Sequence, residues 1–73
     1  MDYNDFTIVQ SFFKEEETGQ AKAVIYETPG GWLIKYYDPR GSQIAEELHS
    51  GKSLRWAEDA AENWALGIKV LNG

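Results

Sequence analysis

Residues 53–71 read SLRWAEDAAENWALGIKVL, and their apolar members recur at helical intervals. Leu54, Ala57, Ala61, Trp64, Ile68 and Leu71 follow one another at steps of 3, 4, 3, 4 and 3. Such spacing lines one face of an α-helix, while Arg55, Glu58, Asp59, Glu62, Asn63 and Lys69 fall elsewhere on the wheel. Ser53 suits the N-cap, because its hydroxyl can accept from a free backbone N–H of the first turn. Glu58 and Asp59 early and Lys69 late suit the helix dipole. Gly67 lies inside the last turns on this reading, at a cost of about 1 kcal/mol relative to alanine, and lets the helix approach its neighbour closely. A helix with one apolar stripe needs a surface to lie on, and the residues before it supply a sheet.

Residues 1–5 are polar and are expected to fray. Residues 6–13, FTIVQSFF, are rich in β-branched and aromatic side chains and predict a strand. A short helix capped by Asp5 competes, since Phe6, Val9 and Phe13 also share a helical face. Residues 14–20, KEEETGQ, predict a charged connection. Residues 21–28, AKAVIYET, predict a second strand, closed by Thr28-Pro29-Gly30-Gly31. Proline presets φ at the second turn position, and Gly30 can accept the positive φ that a type II turn needs at the third. Residues 32–37, WLIKYY, predict the third strand. Asp38-Pro39-Arg40-Gly41 predicts a type I turn with a glycine bulge, and residues 42–49, SQIAEELH, return as the fourth strand. The fold class is therefore α+β: a four-stranded antiparallel meander with one C-terminal helix packed on one face, ββββα.

The turns set a register, and the register assigns the faces. With Pro39, Arg40 and Gly41 as the loop, Tyr36 faces Ile44, Ile34 faces Glu46 and Trp32 faces Leu48. With Pro29 and Gly30 as the other loop, Glu27 faces Trp32, Ile25 faces Ile34 and Ala23 faces Tyr36. The helix side then carries Ala23, Ile25, Trp32, Ile34, Tyr36, Ile44 and Leu48, with Glu46 as a misfit near the edge. The opposite side carries Val24, Tyr26, Leu33, Lys35, Tyr37, Gln43, Ala45 and Glu47, with Lys35 and Glu47 placed to pair. One helix covers only one side of such a sheet. Val24, Tyr26, Leu33 and Tyr37 form an apolar cluster on the other, which is the candidate partner surface.

The 73 residues make a single domain near the lower size limit for folding without staples. There is no cysteine to form a disulfide or a thiolate metal site, so stability must come from packing by the 14% of residues that are aromatic. A homodimer that buries a second apolar surface would add to it. The net charge of −5, from 7 basic and 12 acidic residues, disfavours nucleic acid as a partner. The opening MDYNDF lacks the features of a signal peptide, and no apolar run approaches a membrane span, so a cytoplasmic location without membrane contact is expected.

No catalytic pattern assembles. His49 is the one imidazole available to Ser11, Ser42, Ser50 and Ser53, no nucleophile elbow occurs, and His49 reads as a surface or loop residue. Thr28-Pro29-Gly30-Gly31 lacks the lysine and helix start of a phosphate loop. Glu15, Glu16 and Glu17 lack partner ligands for a metal, and Glu58, Asp59 and Glu62 read as a solvated helix face. Trp64 falls on the core stripe and Trp56 less clearly inside it, and the pair reads as packing rather than as an aromatic ligand cage. No catalytic residue, metal ligand or cofactor is expected, and the protein is not expected to be an enzyme.

The block SLRWAEDAAENWALGIKVL, with the YYDPRG turn and the short four-strand layout before it, resembles small uncharacterised proteins of T4-like cyanophages. In that group a Ser-Leu or similar start leads into an AEDAAENW-like segment and a short Leu/Ile-rich end. The likeness spans residues 7–71. It implies a role in the cytoplasm of an infected bacterial cell and carries over no catalytic residue. The expectation that follows is a small non-enzymatic module that binds protein, either itself as a homodimer or a host protein. An acidic inhibitor that imitates phosphates towards a host nucleic-acid enzyme is the alternative. Stacking of single strands on Tyr26 and Tyr37 is a third reading, opposed by the charge.

Overall fold

The computed structural model describes residues 6–68. Four strands, β1 (Thr7–Glu16), β2 (Gly19–Thr28), β3 (Gly31–Tyr37) and β4 (Gln43–His49), precede one helix, α1 (Leu54–Ala65). The strands form one antiparallel sheet in the order β1-β2-β3-β4, each joined to the next by a tight turn. The architecture is the expected meander with a C-terminal helix on one side. Residues 1–5 and 69–73, including the expected frayed start, Lys69 and Leu71, lie outside the described residues.

Residues 7–13 belong to a strand, not to a helix, and the strand starts one residue later and runs three residues further than expected. Glu16 pairs with Gly19, so Glu17 and Thr18 alone make the turn. The charged connection is thereby drawn into the ladder. Gln20 Nε2 donates to Glu15 Oε2 across 2.7 Å, and Lys14 Nζ stands 5.3 Å from the Trp64 ring centroid. These contacts give the polar residues partners within the sheet and on the helix.

The β2–β3 register is as derived: Glu27 opposes Trp32, Ile25 opposes Ile34 and Ala23 opposes Tyr36. The turn itself differs. The positive φ falls at Gly31 (+132°), not at Gly30. The Thr28 hydroxyl accepts from Gly30 N–H at 3.2 Å and donates to Gly31 O at 2.9 Å, closing the loop from its side chain. Gly31 also lies hard against β4, where an added Cβ would stand 2.7 Å from His49 O.

The β3–β4 turn follows its sequence. Gly41 N–H donates to Asp38 O at 2.9 Å, and Asp38 Oδ1 accepts from Arg40 and Ser42 N–H at 3.0 and 2.9 Å. Beyond it the expected register fails. Tyr37 opposes Gln43 but Tyr36 opposes Ala45, so Ile44 is an extra residue in a β-bulge. Ile34 therefore opposes Glu47, Leu33 opposes Leu48 and Trp32 opposes His49. This one-residue slip reverses the faces of β4. Ile44 and Leu48, expected beneath the helix, are 48% and 56% exposed. Ala45 and Glu47 take the helix side, and Glu46 moves to the open side opposite Lys35. The physical reason is where the helix lies. It packs chiefly over β1, β2 and β3, so large apolar side chains on β4 have no core to enter. Small Ala45 fits the core margin instead, and opposite charges meet at Lys35 and Glu46.

The core joins Ala21, Ala23, Ile25, Ile34 and Tyr36 of the sheet to Ala57, Ala61 and Trp64 of the helix. Trp64 meets Tyr36 edge-on, with ring centroids 5.0 Å apart and planes at 65°. Ser53 caps the helix as expected, its hydroxyl accepting from Trp56 N–H. Trp56, less clearly inside than Trp64 from its spacing, is 51% exposed and carries Lys52 Nζ 4.8 Å from its ring centroid. Its position leads away from the stripe of Ala57, Ala61 and Trp64. The helix also stops sooner than its pattern. Gly67 adopts φ +81°, Ile68 N–H donates to Asn63 O and Gly67 N–H to Trp64 O, a Schellman ending. Gly67 thus ends the helix rather than lying within it, and Ile68 is exposed instead of completing the stripe. Glu58 and Asp59, four and five residues after Leu54, fall outside the first turn, and the expected dipole contribution at that end is lost.

Candidate interaction face

Alternation along the strands puts Val24, Tyr26, Leu33 and Tyr37, the four residues singled out from sequence, together on the side away from α1. Val24 opposes Lys35, Tyr26 opposes Leu33 and Lys22 opposes Tyr37. Val24 is only 5% exposed although no helix covers it. Its cover comes from neighbours on the same side. Tyr26 and Tyr37 lie on opposite sides of the Val24–Lys35 pair, with their phenols close enough to influence each other across it. Burial raises the Tyr26 phenol above its ordinary range, and the neighbouring Tyr37 phenol raises it further. Lys35 Nζ stands 5.6 Å from the Tyr26 ring centroid and Lys22 Nζ 5.4 Å from that of Tyr37. The ring of Phe6 adds a tilted contact to Tyr26 at 6.2 Å.

The open side is wider than the sequence suggested. Leu48 joins it through the bulge, opposite Leu33. From β1, Ile8 opposes Tyr26 and Phe13 opposes Lys22, and they are 63% and 55% exposed. The signal for Phe13 was present in Glu17-Thr18 followed by glycine, a two-residue hairpin loop that fixes the β1 register. The signal for Leu48 was absent, because the Asp38–Gly41 turn reads the same with or without a bulge after it. The charges on this side are balanced: Lys22 and Lys35 against Glu15 and Glu46.

The helix side gathers a different set. Tyr36 Oη donates to Glu47 Oε1 at 2.9 Å, and His49 Nε2 lies 3.5 Å from the same oxygen. Glu47 was expected on the open side beside Lys35, and His49 in a surface position. The bulge instead turns both to the helix side of the sheet, where His49 Nε2 is sealed from solvent. Burial, then the bond to Glu47 and its charge, push the Tyr36 phenol far up. A phenol held neutral in this way is an anchor, not a nucleophile or a base. Glu58, Asp59 and Glu62 line a shallow groove between α1 and β1 with Gln10, Phe12 and Arg55, and Arg55 Nε stands 4.0 Å from Asp59 Oδ2. Among the described residues no three of His, Asp and Glu gather as metal ligands, and no helix is long and apolar enough to cross a membrane.

Fold and face together define a small α+β protein whose meander sheet is covered by a helix on one side and open on the other. No protein-family model, curated protein or solved structure matches the chain.

Proposed function

We propose that this chain is a small non-enzymatic module that binds protein through the open side of its sheet, centred on Val24, Tyr26, Leu33 and Tyr37. The observation that supports it most is the extent of this apolar side: exposed Ile8, Phe13 and Leu48 flank the half-buried tyrosines and Leu33. Monomeric proteins rarely leave so continuous a patch unpartnered. Aromatic residues held in place on a rigid sheet are typical anchors at protein contacts. The setting in this reading is the cytoplasm, that of an infected bacterium if the likeness of residues 53–71 to cyanophage proteins reflects descent.

A photo-crosslinking amino acid tests it. Leu33→p-benzoylphenylalanine places the probe at the centre of the open side, and Asp59→p-benzoylphenylalanine places it on exposed α1, across the sheet from the open side. Irradiation of each variant at high protein concentration and in cell lysate should give polypeptide adducts from position 33 and few from position 59. Equal yields from both, or none from 33, would reject the open side as the contact surface.

A further inference from the structure

We infer that the occupant of the open side is a second copy of this chain, packed sheet to sheet about a two-fold axis. The inference rests on the reading of that side as a protein contact and names the partner.

Three observations carry it. The first is the thinness of the core. Four of the nine buried hydrophobic residues, Ala21, Ala23, Ala57 and Ala61, are alanines, so the helix side buries little apolar volume. A second sheet would cover Leu33, Phe13 and Leu48 and supply the missing layer. The second is charge. The chain carries −5 in total, so two copies repel through most of their surface. The open side is the exception, since Lys22 and Lys35 balance Glu15 and Glu46 there. A surface holding both signs and an apolar centre can be complementary to itself, as a two-fold contact requires. The third is area. Strands β3 and β4 are seven residues long. With four strands at ~4.8 Å and seven residues at ~3.3 Å, each flat side measures roughly 440 Å². Two sides hide roughly 900 Å² before side-chain relief is counted, at the lower limit of about 1,000 Å² for a specific interface. A contact of this size belongs with the weak, transient ones and is sensitive to single charges.

Charge reversal of the Lys35–Glu46 pair provides the test. Lys35→Glu leaves two carboxylates side by side on the open side, and Glu46→Lys leaves two ammonium groups. Sedimentation of the full chain from about 5 to 500 µM spans the range where such a dimer forms. The wild type should sediment at twice 8.3 kDa in the upper part of that range. Each variant alone should stay monomeric, its self-affinity lowered about tenfold or more. An equimolar mixture of the two should recover a dimer, because an acidic side then meets a basic one. Circular dichroism of each variant guards against unfolding, and recovery in the mixture is itself proof of folded chains. A wild type that is monomeric throughout would overturn the second copy, while the crosslinking at position 33 would still judge the wider reading. A dimer that persists in both variants uses another surface and overturns the inference as well.

Discussion

Tyr36 Oη donates to Glu47 Oε1 at 2.9 Å and so ties the buried centre of β3 to the edge strand β4. The helix leaves β4 largely uncovered, so this bond and the backbone ladder hold the edge in place. The acceptor is a half-buried carboxylate, and hydrogen bonds to charged groups are the stronger kind. Tyr36→Phe keeps the ring against Trp64 and removes only the donor. It should cost about 1–2 kcal/mol in urea unfolding. A loss below a few tenths would show that Glu47 finds an equal partner elsewhere.

Burial of the Tyr36 phenol, reinforced by the same bond, sets a dependence on alkaline pH. The Tyr36 phenol is raised from an ordinary value of 10.0, so the folded state prefers the protonated form. Its contribution is whole below pH 10 and is lost as pH climbs from there towards the folded value. Between those limits the unfolded chain has released a proton that the folded chain still holds, and stability falls. Tyr26 is raised as well and acts in the same direction. Thermal midpoints should therefore decline above about pH 10. Tyr36→Phe should flatten that decline, and Tyr36→Phe with Tyr26→Phe should flatten it further. A wild-type midpoint that holds steady above pH 10 would contradict the buried, bonded phenol.

Two glycines with positive φ should respond differently to alanine. At Gly67 an added Cβ meets nothing within 4 Å, so Gly67→Ala suffers only the backbone cost of φ +81°, about 1 kcal/mol. At Gly31 the new Cβ would sit 2.7 Å from His49 O and 3.0 Å from Ser50 Cα, both backbone atoms of the adjoining segment. Gly31→Ala should thus cost more than about 2 kcal/mol, since strain and clash add. The comparison is made by denaturant unfolding of the two variants in parallel. Equal losses would mean that β4 and the β2–β3 turn do not approach as closely as described.

What the sequence made legible divides along physical lines. Local chemistry was readable: the Asp38 turn, the Ser53 cap and the strand character of FTIVQSFF each depend on residues close in the chain. The β2–β3 register was readable because Pro29-Gly30 permits one short connection. The β4 register was not, since a single looped-out residue, Ile44, decides it and no local pattern marks that residue. The helix pattern also ran past the helix, because apolar spacing through Ile68 and Leu71 continues after Gly67 has turned the backbone. Of the open side, the four residues of β2 and β3 were legible and Leu48 was not, because it depends on the bulge. The Tyr36–Glu47–His49 contact was hidden for the same reason.

The two sides of the sheet should separate folding from association. Trp64 is 2% exposed and meets Tyr36, Lys14 and the alanines of the core. Trp64→Ala opens a cavity that small neighbours cannot fill and should cost about 3–5 kcal/mol. That is a large share of the ~4–11 kcal/mol available to a chain of this length at typical stability per residue. Leu48 is 56% exposed on the open side, so Leu48→Ser should change the stability of the isolated chain by no more than about 0.5 kcal/mol. The same change removes apolar area from the proposed contact and should weaken association. Unfolding is measured in dilute solution, where the chain is monomeric, and sedimentation in concentrated solution. Trp64→Ala should fail in the first measurement, while Leu48→Ser should pass it and fall short in the second. If Leu48→Ser unfolds the dilute chain, Leu48 belongs to the core, and the slip of β4 that carries it outward is wrong.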